Sequence, residues 1–118
     1  MFNYLRGAEN AAFRPRLTPL GDIVNSAPTF VGPPNSRYAD TLESVSYSSF
    51  KATHKERTSL IYAGANDGML HAFDAETGVE KMAYVPAVLL PTLKELAAMD
   101  YTDRHRFYVD GSPTVVDA

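Results

Sequence analysis

Tyr62 to Gly78, "YAGANDGMLHAFDAETG", decides the fold, because it threads two tight turns between three short strand-like runs. Leu60-Ile61-Tyr62 leads into Asn66-Asp67-Gly68. A second run, Met69 to Phe73, leads into Asp74-Ala75-Glu76-Thr77-Gly78, and a third begins at Val79. Glycine ends each turn, where closing an antiparallel pair demands positive φ. Asp74 is placed to accept backbone N–H groups of the turn that follows it. The expectation is an antiparallel meander with strands near 59–64, 69–74 and 79–85.

Upstream lies "GDIVNSAPTFVGPP", Gly21 to Pro34, with strand character at Ile23-Val24 and Thr29-Phe30-Val31. Pro28 has no N–H to give a ladder and belongs at a strand entry or bulge. Residues 35–58 are polar, rich in Ser and Thr, and without period, which reads as a long excursion carrying one helical turn. Tyr38, Leu42, Val45, Tyr47 and Phe50 are expected to tack it onto the body. Downstream, "VLLPTLKELAAMD" changes period from 2 to 3.6: Leu89, Leu93 and Leu96 share a face that Leu90 and Ala97 widen. Pro91 suits a first turn, and Thr92 with Glu95 has capping-box spacing. One short amphipathic helix near 90–99 is therefore expected, followed by strand character over 105–118.

A repeat is hidden in this order. Val24-Asn25-Ser26-Ala27-Pro28-Thr29-Phe30-Val31 aligns with Val109-Asp110-Gly111-Ser112-Pro113-Thr114-Val115-Val116, keeping Val, Asn or Asp, Pro, Thr and Val in step. A near-copy at a fixed offset marks a repeat architecture. One repeat thus starts near 24, holds the insertion 35–58, the meander and the helix, and hands over near 109. The fold class is mainly β: an antiparallel meander of propeller-blade type, one to one and a half blades, in a single partial propeller segment over 1–118. Propellers close with about 4 to 8 blades. Edges that neighbouring blades would cover are left open, and open edges invite pairing. The isolated chain is expected to self-associate, or else to cap its edges with the excursion.

The totals agree with one ordinary globular domain: 118 residues, 45% hydrophobic and 21% charged. A net charge of −3 gives no reason to expect nucleic acid as a partner. The absence of cysteine removes disulfides, thiolate catalysis and Cys-ligated metals. No apolar run reaches membrane-spanning length, and no charged-then-apolar leader opens the chain.

Candidate chemistry is thin. Asn66, Asp67, Asp74 and Glu76 crowd oxygen ligands together, yet they lack EF-hand register, and turn demands account for each. The structural turn residues are Asn66, Asp67, Gly68, Asp74, Thr77 and Gly78, with Pro28 and Pro113 in the repeat. His71, between Met69 and Phe73, reads as a packed, hydrogen-bonded strand histidine rather than a base or ligand. His54 and His105 read as surface. Ser26 and Ser112 lie in no nucleophile elbow, and their duplication points to a turn role. Arg14, Arg16, Arg104 and Arg106 read as scattered charge rather than a basic patch. No catalytic, cofactor-binding or metal-ligating residue is assigned.

The pattern of strand, Asp-Gly turn, strand, then Asp-Ala-x-Thr-Gly resembles the quinoprotein-type (PQQ-like) propeller repeat. Four segments in order, "NYLRG" (3–7), "LGDIVNSAP" (20–28), "GANDGMLHAFDAETG" (64–78) with "AYVP" (83–86), and "HRFYVDGSP" (105–113), resemble the PilC/PilY family of type IV pilus tip-associated proteins. The resemblance implies a piece of that family's C-terminal β-propeller. Such proteins are exported, non-enzymatic adhesins and assembly factors at the pilus tip or outer membrane. They promote pilus assembly, oppose retraction and adhere to host or abiotic surfaces, with minor and major pilins as partners. An export signal would then lie outside these residues. Some members bind calcium in an Asp-rich loop, but no Asp-x-Asp-x-Asp run stands here, so no cofactor is carried over. Quinoprotein repeats usually carry a Trp after the Thr-Gly; Met82 stands near that place and the chain has no Trp. This departure weakens the alternative, a quinone-dependent dehydrogenase propeller.

Overall fold

Both turns close hairpins. The computed structural model describes residues 1–117, and its strands are β1 (Thr29–Val31), β2 (Leu60–Ala65), β3 (Met69–Asp74) and β4 (Glu80–Tyr84). They form one sheet in the order β1-β2-β3-β4, every neighbour antiparallel. A four-stranded meander in chain order is the construction of a propeller blade. Ala65 faces Met69 across the first turn, where Gly68 N–H donates to Ala65 O at 3.3 Å. The second turn is closed by Gly78 N–H on Asp74 O at 2.9 Å. Gly68 (φ 91°) and Gly78 (φ 71°) hold the positive φ each turn needs. At the far edge, Val31 of β1 lies opposite Leu60 of β2, so the intervening residues leave and return at adjacent points.

The core gathers where β3 begins. Met69 meets Tyr4 and Leu5 of an N-terminal helical turn, α1 (Phe2–Leu5), and Leu93, Leu96, Ala97 and Tyr101 from downstream. The strand ends away from this cluster are less covered, and every residue of β4 is exposed.

Three expectations need correction. The helix expected at 90–99 is reduced to one turn, α3 (Leu93–Leu96), between 3-10 turns at Ala87–Leu89 and Tyr101–Arg104. Pro91 has no N–H for the carbonyl of Ala87, and Leu90 N–H takes that acceptor instead. The Thr92 hydroxyl donates back to Leu89 O at 2.9 Å rather than capping the following turn. Leu93 and Leu96 are buried as the stripe requires, whereas Leu90 is exposed. In the excursion, α2 (Tyr47–Thr53) is longer than one turn and is capped by Ser46 Oγ, which accepts from Ser49 N–H. Tyr47 and Phe50 are half-buried, but Tyr38, Leu42 and Val45 are exposed. The reason is local: Asp40 accepts from Ser48 N–H and Oγ–H at 2.8 and 2.7 Å, folding the loop onto α2 and not onto the sheet. Lastly, residues 105–117 join no ladder, and the chain bends at Tyr108, Val109 and Gly111.

The outline is long, with extents of 56 × 27 × 22 Å and a radius of gyration of 17.9 Å. A compact chain of this length would have a radius near ~13.5 Å. Its accessible surface, 8126 Å², exceeds by more than a quarter the ~6,300 Å² expected for a folded 13.0 kDa monomer.

Candidate functional site

The residues with chemistry collect around the Asn66-Asp67-Gly68 turn. Asn66 is buried, and its N–H and both ends of its side-chain amide are used: the N–H donates to Asp22 O at 3.0 Å, Nδ2 to Asp22 Oδ2 at 3.0 Å, and Oδ1 accepts from Tyr108 N–H at 3.1 Å. Residues 22 and 108 lie one or two positions ahead of the two repeat copies, so one buried amide reaches the start of both. Asp67 accepts from Gly21 N–H at 2.9 Å and Met69 N–H at 3.1 Å. These two residues do more than turn the chain; they fix the inner ends of both copies to the hairpin.

His71, on β3, is buried as expected and lies between two carboxylates. Nε2 is 3.0 Å from Asp67 Oδ2, and Nδ1 is 2.6 Å from Glu80 Oε1 on β4. Ionised carboxylates only accept, so both contacts are satisfied when both ring nitrogens carry protons. Burial opposes that charge, but the hydrogen bonds to Asp67 and Glu80 outweigh it and raise the His71 pKa above the ordinary histidine value. The ring stacks on Phe73 with centroids 5.7 Å apart. The trio ties turn, β3 and β4 together.

The second turn matches its expected chemistry. Asp74 Oδ1 accepts from Glu76 N–H at 3.1 Å and Thr77 N–H at 3.0 Å. The N–H of Thr77, with that of Glu76, holds the Asp74 carboxyl below the usual carboxylate range. Thr77 Oγ1 in turn accepts from Val79 N–H at 3.3 Å. Pro28 stands at the entry to β1, and Pro113 O accepts from Thr29 Oγ1 at 3.1 Å.

Other side chains were harder to place from sequence. Ser26 and Ser112 are not turn caps: Ser26 Oγ accepts from Gly64 N–H on β2 at 2.8 Å, and Ser112 Oγ from Ala27 N–H at 2.9 Å. His105, at the surface, stands 3.5 Å from Asp22 Oδ2. The four arginines stand apart in function. Arg14 and Arg16 stack over Tyr101 and Tyr4, while Arg104 and Arg106 pair with Asp100 and Glu95. Among the described residues no group of three or more His, Asp or Glu is set to hold a metal ion.

One further surface stands out. Tyr38, Tyr47, Phe50 and His54 form a chain of ring contacts along the excursion, beside a cleft of about 390 Å³ that Leu42 and Val45 also line. Tyr47 Oη donates to Asp117 Oδ2 at 2.6 Å and accepts from Ser36 N–H, while Arg57 spans Gly32 O and Asp117. The excursion is therefore anchored at its root and apolar at its tip. Among the described residues no helix is long and apolar enough to cross a membrane.

Comparison with known proteins agrees with this architecture. The chain is 44% identical over 98% of its length to a type IV pilus biogenesis factor PilY1 homolog of Xylella fastidiosa. It is 45% identical over 96% of its length to the type IV pilus biogenesis factor PilY1 of Pseudomonas aeruginosa strain PAK, and 40% identical over 98% to that of strain UCBPP-PA14. It spans about a tenth of each of these relatives: 10% in every case. No solved structure matches it. The family model described as the PilY1 beta-propeller domain matches residues 20–118, which take in both repeat copies and the whole sheet, and the chain belongs to that family.

Proposed function

We infer that this chain is a non-enzymatic propeller module of a type IV pilus tip adhesin and biogenesis factor. In this reading it acts in pilus assembly, in control of retraction and in surface adhesion. Its partners are minor and major pilins, and its setting is the exported face of the cell, at the pilus tip or outer membrane. The observation that carries the reading is the use made of the polar residues. Asn66, Asp67, His71, Asp74, Ser26 and Ser112 each spend their hydrogen bonds joining blade elements. That is the economy of a scaffold, and it sits in a chain whose relatives are named pilus biogenesis factors. This segment needs no cofactor for such a role. The anchored excursion, with its exposed aromatic tip, is the part best placed to meet a partner.

The test is genetic. In a bacterium whose full-length protein contains this segment, Asp67→Ala should reduce surface pili while the protein is still made. Surface pili should return in a strain unable to retract them if the module restrains retraction, and stay lost if it acts only in assembly. Unchanged piliation and adhesion with Asp67→Ala, and with residues 37–46 removed, would overturn the proposal.

A further inference from the structure

The cleft beside the excursion is walled by rings and lined by acids. Tyr38 and Tyr47 meet edge to face at 81°, with centroids 5.1 Å apart. Such a contact leaves a corner bounded by one face of each ring, and ring faces carry the negative side of the aromatic quadrupole. Phe50 lies 27° from the Tyr47 plane at 5.9 Å and extends that wall. Leu42 and Val45 complete the apolar lining of about 390 Å³, room for one side chain or a small ligand. The walls are held in place: Tyr47 Oη is fixed between Asp117 and the Ser36 N–H, and Asp40, bonded to Ser48, keeps the loop against α2. Tyr38 is 46% exposed, so its ring is open to an incoming group.

The charge in the cleft is of one sign. Among the described residues, the groups lining it that carry charge at neutral pH are Glu43 and Asp117. Asp117 is already answered, accepting from Tyr47 Oη at 2.6 Å and lying 3.4 Å from the Arg57 guanidinium. Glu43 is exposed and, among the described residues, pairs with no lysine or arginine. An uncharged partner closing over the cleft would strip water from that carboxylate and leave it unpaired, whereas a cation would compensate it. A sugar would find few groups to bond, because Tyr47 Oη already donates once and accepts once.

We propose, resting on the reading of the excursion as the part that meets a partner, that this cleft takes an arginine side chain of a partner protein. The guanidinium pairs with Glu43 while the stem lies along Tyr38, Tyr47 and Leu42. Arginine fits better than lysine, since its planar fork can meet a carboxylate through two N–H groups and still lie flat on a ring. The chain itself uses the ring half of this pairing twice: the Arg16 and Arg14 guanidinium carbons stand 3.9 and 4.6 Å from the ring centroids of Tyr4 and Tyr101. Cations held over ring faces within about 6 Å gain roughly 0.5–1 kcal/mol at exposed sites.

Saturation-transfer NMR on the full-length protein that contains this segment tests the proposal, with Nα-acetylarginine amide as probe and its uncharged counterpart, Nα-acetylcitrulline amide, as control. The arginine probe should bind roughly ten-fold more tightly than the citrulline probe, the effect of about 1.4 kcal/mol. Glu43→Gln removes the charge and should weaken the arginine probe about five-fold, leaving the citrulline probe unmoved. Tyr38→Leu removes one ring face and should weaken the arginine probe about three-fold. Both positions are exposed and outside the sheet, so these variants keep the fold. Equal binding of the two probes, or an arginine affinity unmoved by both Glu43→Gln and Tyr38→Leu, would overturn the proposal. Because the readout is a ligand signal rather than piliation, either result leaves the role in pilus assembly to its own test.

Discussion

His71 illustrates how one side chain can set a pH response for a blade. Its folded-state pKa is raised above the ordinary ~6.5 by Asp67 and Glu80, burial notwithstanding. A group of this kind contributes its full stabilisation below the unfolded value and loses it as pH rises through the folded one. The melting temperature should therefore be higher at pH 6 than at pH 9, and His71→Gln should flatten that difference; equal slopes in the two proteins would show that other groups set the response. Asp67→Ala removes the acceptor of Gly21 N–H, Met69 N–H and the His71 ring together. Stranding buried donors in this way costs about 3 kcal/mol, readable as a lower urea midpoint with an unchanged slope. Gly64 offers a steric counterpart. A Cβ there would come within 2.4 Å of Val109 O, so Gly64→Val should separate residue 109 from β2 at a cost of about 1–3 kcal/mol or more.

The two hairpins are built alike and differ in what surrounds them. Gly78 (φ 71°) faces open space, so Gly78→Ala meets only the left-handed backbone penalty, about 1 kcal/mol, and Gly78→Asn should recover part of it. At Gly68 an added Cβ also meets Leu93 Cδ2 at 2.6 Å. Gly68→Ala should lower the melting temperature more than Gly78→Ala; the reverse order would mean that the Leu93 contact yields freely. Turns and strands were legible in the sequence because their causes are local: glycine where φ is positive, alternation where one face is buried. The leucine stripe of residues 89–96 was also legible, but its length was not, since Pro91 and the Thr92 hydroxyl compete for the backbone groups a longer helix would use. Residues 105–117 carry strand composition yet gain no ladder, because pairing depends on a neighbour that composition does not reveal. The roles of Asn66, Ser26 and Ser112 were hidden for the same reason. Each acts on a segment more than thirty residues away, and only the in-step repeat hinted that two distant stretches would meet.

Taken whole, the molecule is a long slab with more surface than its mass requires, and its covering is uneven. The sheet and its hairpins are held by ladders, whereas residues 32–46 join no ladder and are tied down by a few side chains, Tyr47, Asp40 and Arg57 among them. Limited trypsin treatment should cut first within the excursion, at Arg37, Lys51 or Lys55, leaving 59–85 intact; early cuts inside the sheet would contradict this order of protection. The excursion nevertheless departs from Val31 and returns at Leu60, two residues paired across adjacent strands. Closing residues 32–59 rather than a four-residue turn adds only about 2 kcal/mol, since loop entropy grows with the logarithm of length. The blade is therefore nearly indifferent to what it carries at this point. Scaffold and ornament can vary independently: a lineage could lengthen, shorten or recolour the loop to suit a new surface while the register beneath it stays unchanged.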